Sequence, residues 1–169
     1  MRNMPKSAED ILKTAILLER RGKAFYTTAA RDTKSEAVRK IFAMMAKDEE
    51  EHIKFLSLQF AQYEKTGQFA KNRIEAPAED AEALLILSEQ VKKEVSAADF
   101  EAAAISAALD FENRAIEVYQ GRAHEATDPN EKQMYQMLAD WERTHYRALD
   151  RLDEDLKEQI WYDNKFWPF

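Results

Sequence analysis

One arrangement of residues occurs twice along this chain: a glutamate, a second glutamate thirty residues later, and a histidine three beyond that. The first set is Glu19, Glu49 and His52, and the second is Glu112, Glu142 and His145. A glutamate and a histidine three apart share one face of an α-helix. A thirty-residue interval is long enough to run down one helix, turn, and return along another. Two such hairpins would bring four carboxylates and two imidazoles into the core of a four-helix bundle, which is a ligand set for two metal ions.

The rest of the chain is consistent with that architecture. Only 3 glycines and 4 prolines occur in 169 residues, while Ala, Glu, Lys, Leu and Arg are abundant, so the chain reads as nearly all helix. The length suits one domain over residues 1–169 with a real core. Helices are expected over about 7–30, 35–65, 96–127 and 129–159. Ser7, with Asp10 in the first turn, opens the first helix. The polar break Arg31-Asp32-Thr33 closes it, and Gly67 lies near the end of the second. Ser96, with Asp99 three residues on, opens the third, and Asp128-Pro129 is a cap and first-turn pair for the fourth. The connection over 67–95 contains Pro77 and a shorter periodic stretch from Asp80 to Lys93. Short turns make each helix pair antiparallel, and the long link can cross the bundle. The expected fold is all-α: a ferritin-like four-helix bundle, two antiparallel hairpins joined by a long crossover.

The two hairpins also resemble each other. Glu19 is followed seven residues later by Tyr26, and Glu112 by Tyr119. Each site residue interrupts an apolar stripe. The stripes are Leu12, Ala15, Gly22 and Tyr26 around Glu19, and Val38, Phe42, Met45 and Leu56 around Glu49 and His52. On the other hairpin they are Ile105, Ala108, Ala115 and Tyr119 around Glu112, and Tyr135, Leu138, Leu149 and Leu152 around Glu142 and His145. At about 1.5 Å per residue, the six groups fall in one layer if the hairpins pack in register. Four carboxylates buried together without cations would repel one another or stay protonated. Two divalent ions cancel those charges, and carboxylate plus imidazole ligation suits non-haem iron first and manganese next.

Neighbouring residues are read more plainly. Glu50 and Glu51 point away from Glu49 and are expected to be solvated or to support the ligands. Asp48 and Asp140 are in position to orient the histidines, although a surface acid is the simpler reading of each. His124 is expected at the surface, and Met44, Met45, Met134 and Met137 are expected to fill the core. Tyr26 and Tyr119 either pack the core or support the metal ligands.

Composition excludes several classes. The net charge is −7 with no basic stripe, which argues against nucleic acid. The absence of cysteine excludes disulfides, thiolate zinc sites and iron–sulfur clusters, and fits a reducing cytoplasm. The first ten residues contain no apolar signal-peptide core, and the run Ala102 to Leu109 is too short to span a membrane.

The segments Glu19 to Tyr26, Asp48 to His52, Glu112 to Tyr119 and Trp141 to His145 resemble the rubrerythrin branch of ferritin-like di-iron proteins, over roughly residues 7 to 157. The resemblance implies two iron ions, with manganese or a mixed pair as variants. It implies that Glu19 and Glu112 are terminal carboxylates and that Glu49 and Glu142 bridge, each paired with its own His52 or His145. It also implies that Tyr26 and Tyr119 hydrogen-bond across the bundle to carboxylate ligands.

The chain departs from classical rubrerythrins twice. It lacks the four-cysteine rubredoxin module, so electrons would come from a separate protein. Ala115 stands three residues after Glu112, where an exchangeable extra carboxylate would be expected. The leading expectation is a peroxidase acting on hydrogen peroxide. A ferroxidase using dioxygen, serving iron storage or delivery, is the second. A partner-binding helical module with a vestigial site is the third, suggested by the tail Trp161, Tyr162, Phe166, Trp167 and Phe169. That tail, residues 160–169, is expected to pack on its own bundle or on a homodimer mate.

Overall fold

The computed structural model describes residues 7–71, 81–95 and 99–162, with the side chains of 81–85 and of 159–162 left out. Five helices are found there: α1 (Ala8–Asp32), α2 (Glu36–Thr66), α3 (Ala81–Glu94), α4 (Phe100–Glu125) and α5 (Pro129–Tyr162). The fold is an all-α ferritin-like bundle. α1 and α2 form one hairpin and α4 and α5 the other, α1 meets α4 across the middle, and α3 packs against both α2 and α5.

Local chemistry sets the helix ends. Ser7 and Asp10 form a capping box at α1: Asp10 N–H donates to Ser7 Oγ at 3.1 Å, and Ser7 N–H donates to the Asp10 carboxylate at 3.3 Å. α1 runs two residues past the expected end at residue 30, because Arg31 and Asp32 pair with each other on the solvent side instead of breaking the helix. The turn itself begins at Thr33. Thr33 Oγ1 and Lys34 N–H both donate to the buried Glu101 of α4, at 2.7 and 2.8 Å, tying the tip of one hairpin to the other.

Ser35 caps α2, and the Glu94 carboxylate at the end of α3 accepts from Ser35 Oγ at 2.6 Å. Gly67 ends α2 in the left-handed region, at φ 67°, where a Cβ would be strained. The start of the crossover is clasped by Gln59, whose amide exchanges two hydrogen bonds with Ala70. α4 starts at Phe100, after its cap Asp99, and the expected start at Ser96 lies outside the described residues; α3 ends at Glu94, and Val95 just beyond it is buried in the core. α4 also ends two residues before the expected 127. Asp128 caps α5 through the N–H groups of Asn130 and Glu131, and Pro129 takes the first position. α5 continues to Tyr162, past the expected 159, with Leu149, Leu152 and Leu156 giving its second half a buried stripe.

The core divides into two apolar clusters. One holds Tyr26, Ile41, Phe42, Met45, Ile105 and Leu149 at the end where α3 docks. The other holds Leu12, Leu56, Tyr119, Met134, Tyr135 and Leu138 at the opposite end. The residues between them on all four long helices are polar and buried: Glu19, Glu49, His52, Glu112, Glu142 and His145. Met45 and Met134 fill the core as expected, Met137 is half-buried, and Met44 is exposed, so it does not serve as filler.

Gly22 sits at this polar level on α1. A Cβ built there would lie 2.7 Å from the Phe111 ring and 3.1 Å from Glu49 Cδ, so only a hydrogen permits α4 this close. Gly to Ala in a helix normally adds about 0.5–1 kcal/mol of stability. Gly22→Ala should do the reverse, lowering the melting temperature through overpacking of roughly 1–3 kcal/mol. A higher melting temperature for the variant would contradict this packing.

Candidate metal centre

Each long helix delivers its site residues on the stripe that faces the bundle axis. α1 contributes Glu19, α2 contributes Glu49 and His52, α4 contributes Glu112, and α5 contributes Glu142 and His145. All six are buried, with exposures from 0 to 5 %. Thus the six expected residues converge in one layer.

Their atoms form two overlapping groups. Glu19, Glu49, His52 and Glu142 offer ligand atoms that lie within 4.8 Å of one another, and so do Glu49, Glu112, Glu142 and His145. Glu49 and Glu142 belong to both groups, while Glu19 and Glu112 belong to one each. Both imidazoles turn Nδ1 inward. His52 Nδ1 lies 3.0 Å from Glu19 and 3.0 Å from Glu142. His145 Nδ1 lies 3.2 Å from Glu142 and 3.5 Å from Glu112.

Protein partners leave this layer incompletely satisfied. Both carboxylate oxygens of Glu49 and one of Glu112 are buried and find no hydrogen-bond partner among the described residues. Unmet buried carboxylate oxygens are costly, and two divalent ions in these groups would satisfy them and cancel four negative charges. The donor set of carboxylates and imidazoles fits iron or manganese.

Electrostatics in the metal-free cluster carry the same message. Burial, then the charges of Glu142 and Glu19, hold the Glu49 carboxyl well above its ordinary value. Burial, then the charge of Glu142, lifts Glu112 to about 8. Burial alone would lower His52, but the adjacent Glu142 and Glu19 outweigh it and raise the ring. Burial likewise opposes the charged form of His145, which its bonds to Asp48, Glu112 and Glu142 restore and raise. Burial would raise Glu142, but the two imidazoles beside it bring it below the usual carboxylate range. Protons therefore stand where cations belong, and metal uptake must release them.

Tyr26 on α1 donates its hydroxyl to Glu112 on α4, and Tyr119 on α4 donates to Glu19 on α1. Each tyrosine thus holds a carboxylate of the opposite hairpin in one orientation. Both rings are fully buried, so the same residues also pack the core.

The chain matches the family model described as rubrerythrin over residues 10–153. It belongs to the rubrerythrin family. No curated protein and no solved structure matches it. The matched span holds the repeated glutamate and glutamate–histidine set and both crossed tyrosines. Ala115, three residues after Glu112, is buried in the core.

Other candidates fall into place around the centre. Glu50 pairs with Lys23 and Glu51 with Lys54 at the surface, as expected of solvated acids. Asp140 is exposed and pairs with Arg143. His124 is exposed. Asp48 departs from the surface-acid reading: its carboxylate lies 3.1 Å from His145 Nε2, on the opposite hairpin, and its side chain is only 15 % exposed. Trp141 was not singled out from the sequence, yet its indole stands edge-on to His52, with ring centroids 4.5 Å apart. The aromatic tail lies outside the described side chains. No helix among the described residues is long and apolar enough to cross a membrane.

Proposed function

We propose that this chain is a non-haem di-iron oxidoreductase that reduces hydrogen peroxide with electrons from a separate protein. The observation that carries the reading is the pair of overlapping ligand groups sharing Glu49 and Glu142, sealed between two apolar clusters. In this reading Glu19 and His52 on one side and Glu112 and His145 on the other would hold the ions, together with Glu49 and Glu142, which belong to both groups. A bound ferrous pair would supply two electrons to split the O–O bond, giving two waters when two protons arrive.

The residues of the chain do the rest. Tyr26 and Tyr119 fix the rotamers of Glu112 and Glu19, so the carboxylates are oriented before metal arrives. The apolar layers exclude bulk water from both sides of the site. These 169 residues contain no cysteine to hold a rubredoxin-type iron centre, and in this reading the electrons come from a separate electron-transfer protein. The same reading places the chain in a reducing cytoplasm, as a homodimer.

A second reading is ferrous oxidation by dioxygen for iron storage or delivery, favoured by the net charge of −7, which attracts cations. Rapid mixing of the anaerobically iron-loaded protein with peroxide or with dioxygen separates the two. Much faster oxidation by peroxide at two irons per chain supports the peroxidase. Faster reaction with dioxygen, continuing as more iron is added, overturns it in favour of the ferroxidase.

A further inference from the structure

The two hairpins repeat their six inward-facing residues, yet the residues behind the imidazoles differ. Asp48 immediately precedes Glu49, and Trp141 immediately precedes Glu142, so the two occupy equivalent positions of the internal repeat. Each reaches across to the histidine of the other hairpin. Asp48 meets His145 Nε2 at 3.1 Å. A carboxylate only accepts, so Nε2 carries the hydrogen and Nδ1 keeps its lone pair for the ion. Trp141 instead lies against His52 with interplanar angle 89° and ring centroids 4.5 Å apart. His52 Nε2 finds no partner among the described residues, and neither does the indole Nε1. One imidazole therefore has a carboxylate on its outward nitrogen, which fixes the metal-binding tautomer, whereas the outward nitrogen of the other has no such partner and its ring lies against the Trp141 indole.

We infer that the two metal positions are unequal, and that Asp48 is the positioning residue that makes the His145 position the tighter one. This rests on the dinuclear reading above. Two effects act in the same direction. The hydrogen bond to Asp48 fixes the tautomer and orientation of His145, and such partners are typically worth about 10–100-fold in metal affinity. Asp48 also adds a negative charge next to the group of Glu49, Glu112, Glu142 and His145, whereas the equivalent residue beside His52 is the uncharged Trp141. The group around His145 fills first, and a half-loaded chain is populated whenever metal is scarce. Such a chain can take a different ion at its His52 position.

The test is calorimetric titration of the metal-free full chain with cobalt(II), comparing the native protein with Asp48→Ala and Asp48→Asn. The native chain should take up two ions in two resolved steps. Asp48→Ala should weaken the first step about 10–100-fold and leave the second within a few-fold. Asp48→Asn, whose amide oxygen still accepts from Nε2, should fall between native and Asp48→Ala, a graded rescue that mere loss of packing would not produce. Asp48 is partly exposed and contributes nothing to the apolar clusters, so circular dichroism of the metal-free variants should match the native chain. Both steps weakening together, the second weakening alone, or neither changing would overturn the inequality while leaving the metal centre intact. A native chain that binds no cobalt would overturn the metal centre and this inference together.

Discussion

Loading the metal-free protein with two divalent ions should raise its melting temperature by roughly 10–20 °C when free ion is held about 100-fold above each dissociation constant. Each site then adds about 2.7 kcal/mol, and a chain of this size gains about 2–4 °C per kcal/mol. The pH dependence should change as well. Glu112 titrates at about 8 in the folded metal-free chain, against an ordinary 4.5, and Glu49, His52 and His145 are raised too. For these groups the folded state keeps protons that the unfolded chain has released. Their contribution is present below the unfolded values and is lost as pH rises through the folded ones. The metal-free protein should therefore weaken from about pH 5 to pH 8, by about 1.4 kcal/mol per pH unit for each proton retained. Glu142 shifts the other way and acts only below its ordinary value of 4.5, outside that window. Ions replace the retained protons, so the loaded protein should lose this slope. Melting curves recorded across that range with and without ion check both statements, and coincident curves would contradict them.

The second large effect is expected at Glu49. Glu49→Gln keeps the shape but removes a charge that both ligand groups share. Binding of at least one ion should be abolished, as it should be for Glu142→Ala. The metal-free variant should nevertheless be no less stable than the native chain, and at pH 8 more stable. There it has been relieved of a carboxylate that burial and two like charges oppose. Loss of a ligand with a gain in metal-free stability is the signature of a site held at a cost to the fold. The exposed Glu51, paired with Lys54, provides the control: Glu51→Gln should change neither quantity. Equilibrium dialysis and thermal melts measure the two sides. Two ions still bound by Glu49→Gln would contradict the shared role of Glu49.

Much of this was legible in the sequence because the site uses helical periodicity. Glu19, Glu49, Glu112 and Glu142 each interrupt an apolar stripe, and a stripe on a helix has only one way to face the core. The thirty-residue spacing then sets their depth, and all six residues converge as expected. What stayed hidden depends on how side chains cross between hairpins. Asp48 is one residue from a ligand, but nothing along its own helix reveals that it reaches His145 on α5. Trp141 reads as an ordinary core aromatic until its alignment with Asp48 in the repeat is noticed. Gly22 was visible as a member of the α1 stripe, but its close contact with Phe111 depends on the α1–α4 distance. The helix ends were missed by a few residues where tertiary contacts decide them, as at Thr33, which Glu101 of α4 captures.

The most direct test of the central claim is diffraction from crystals of the anaerobically iron-loaded protein at the iron absorption edge. Two anomalous peaks per chain should appear within the layer of Glu19, Glu49, His52, Glu112, Glu142 and His145. A single peak would refute the dinuclear centre, and iron bound only outside that layer would refute the site.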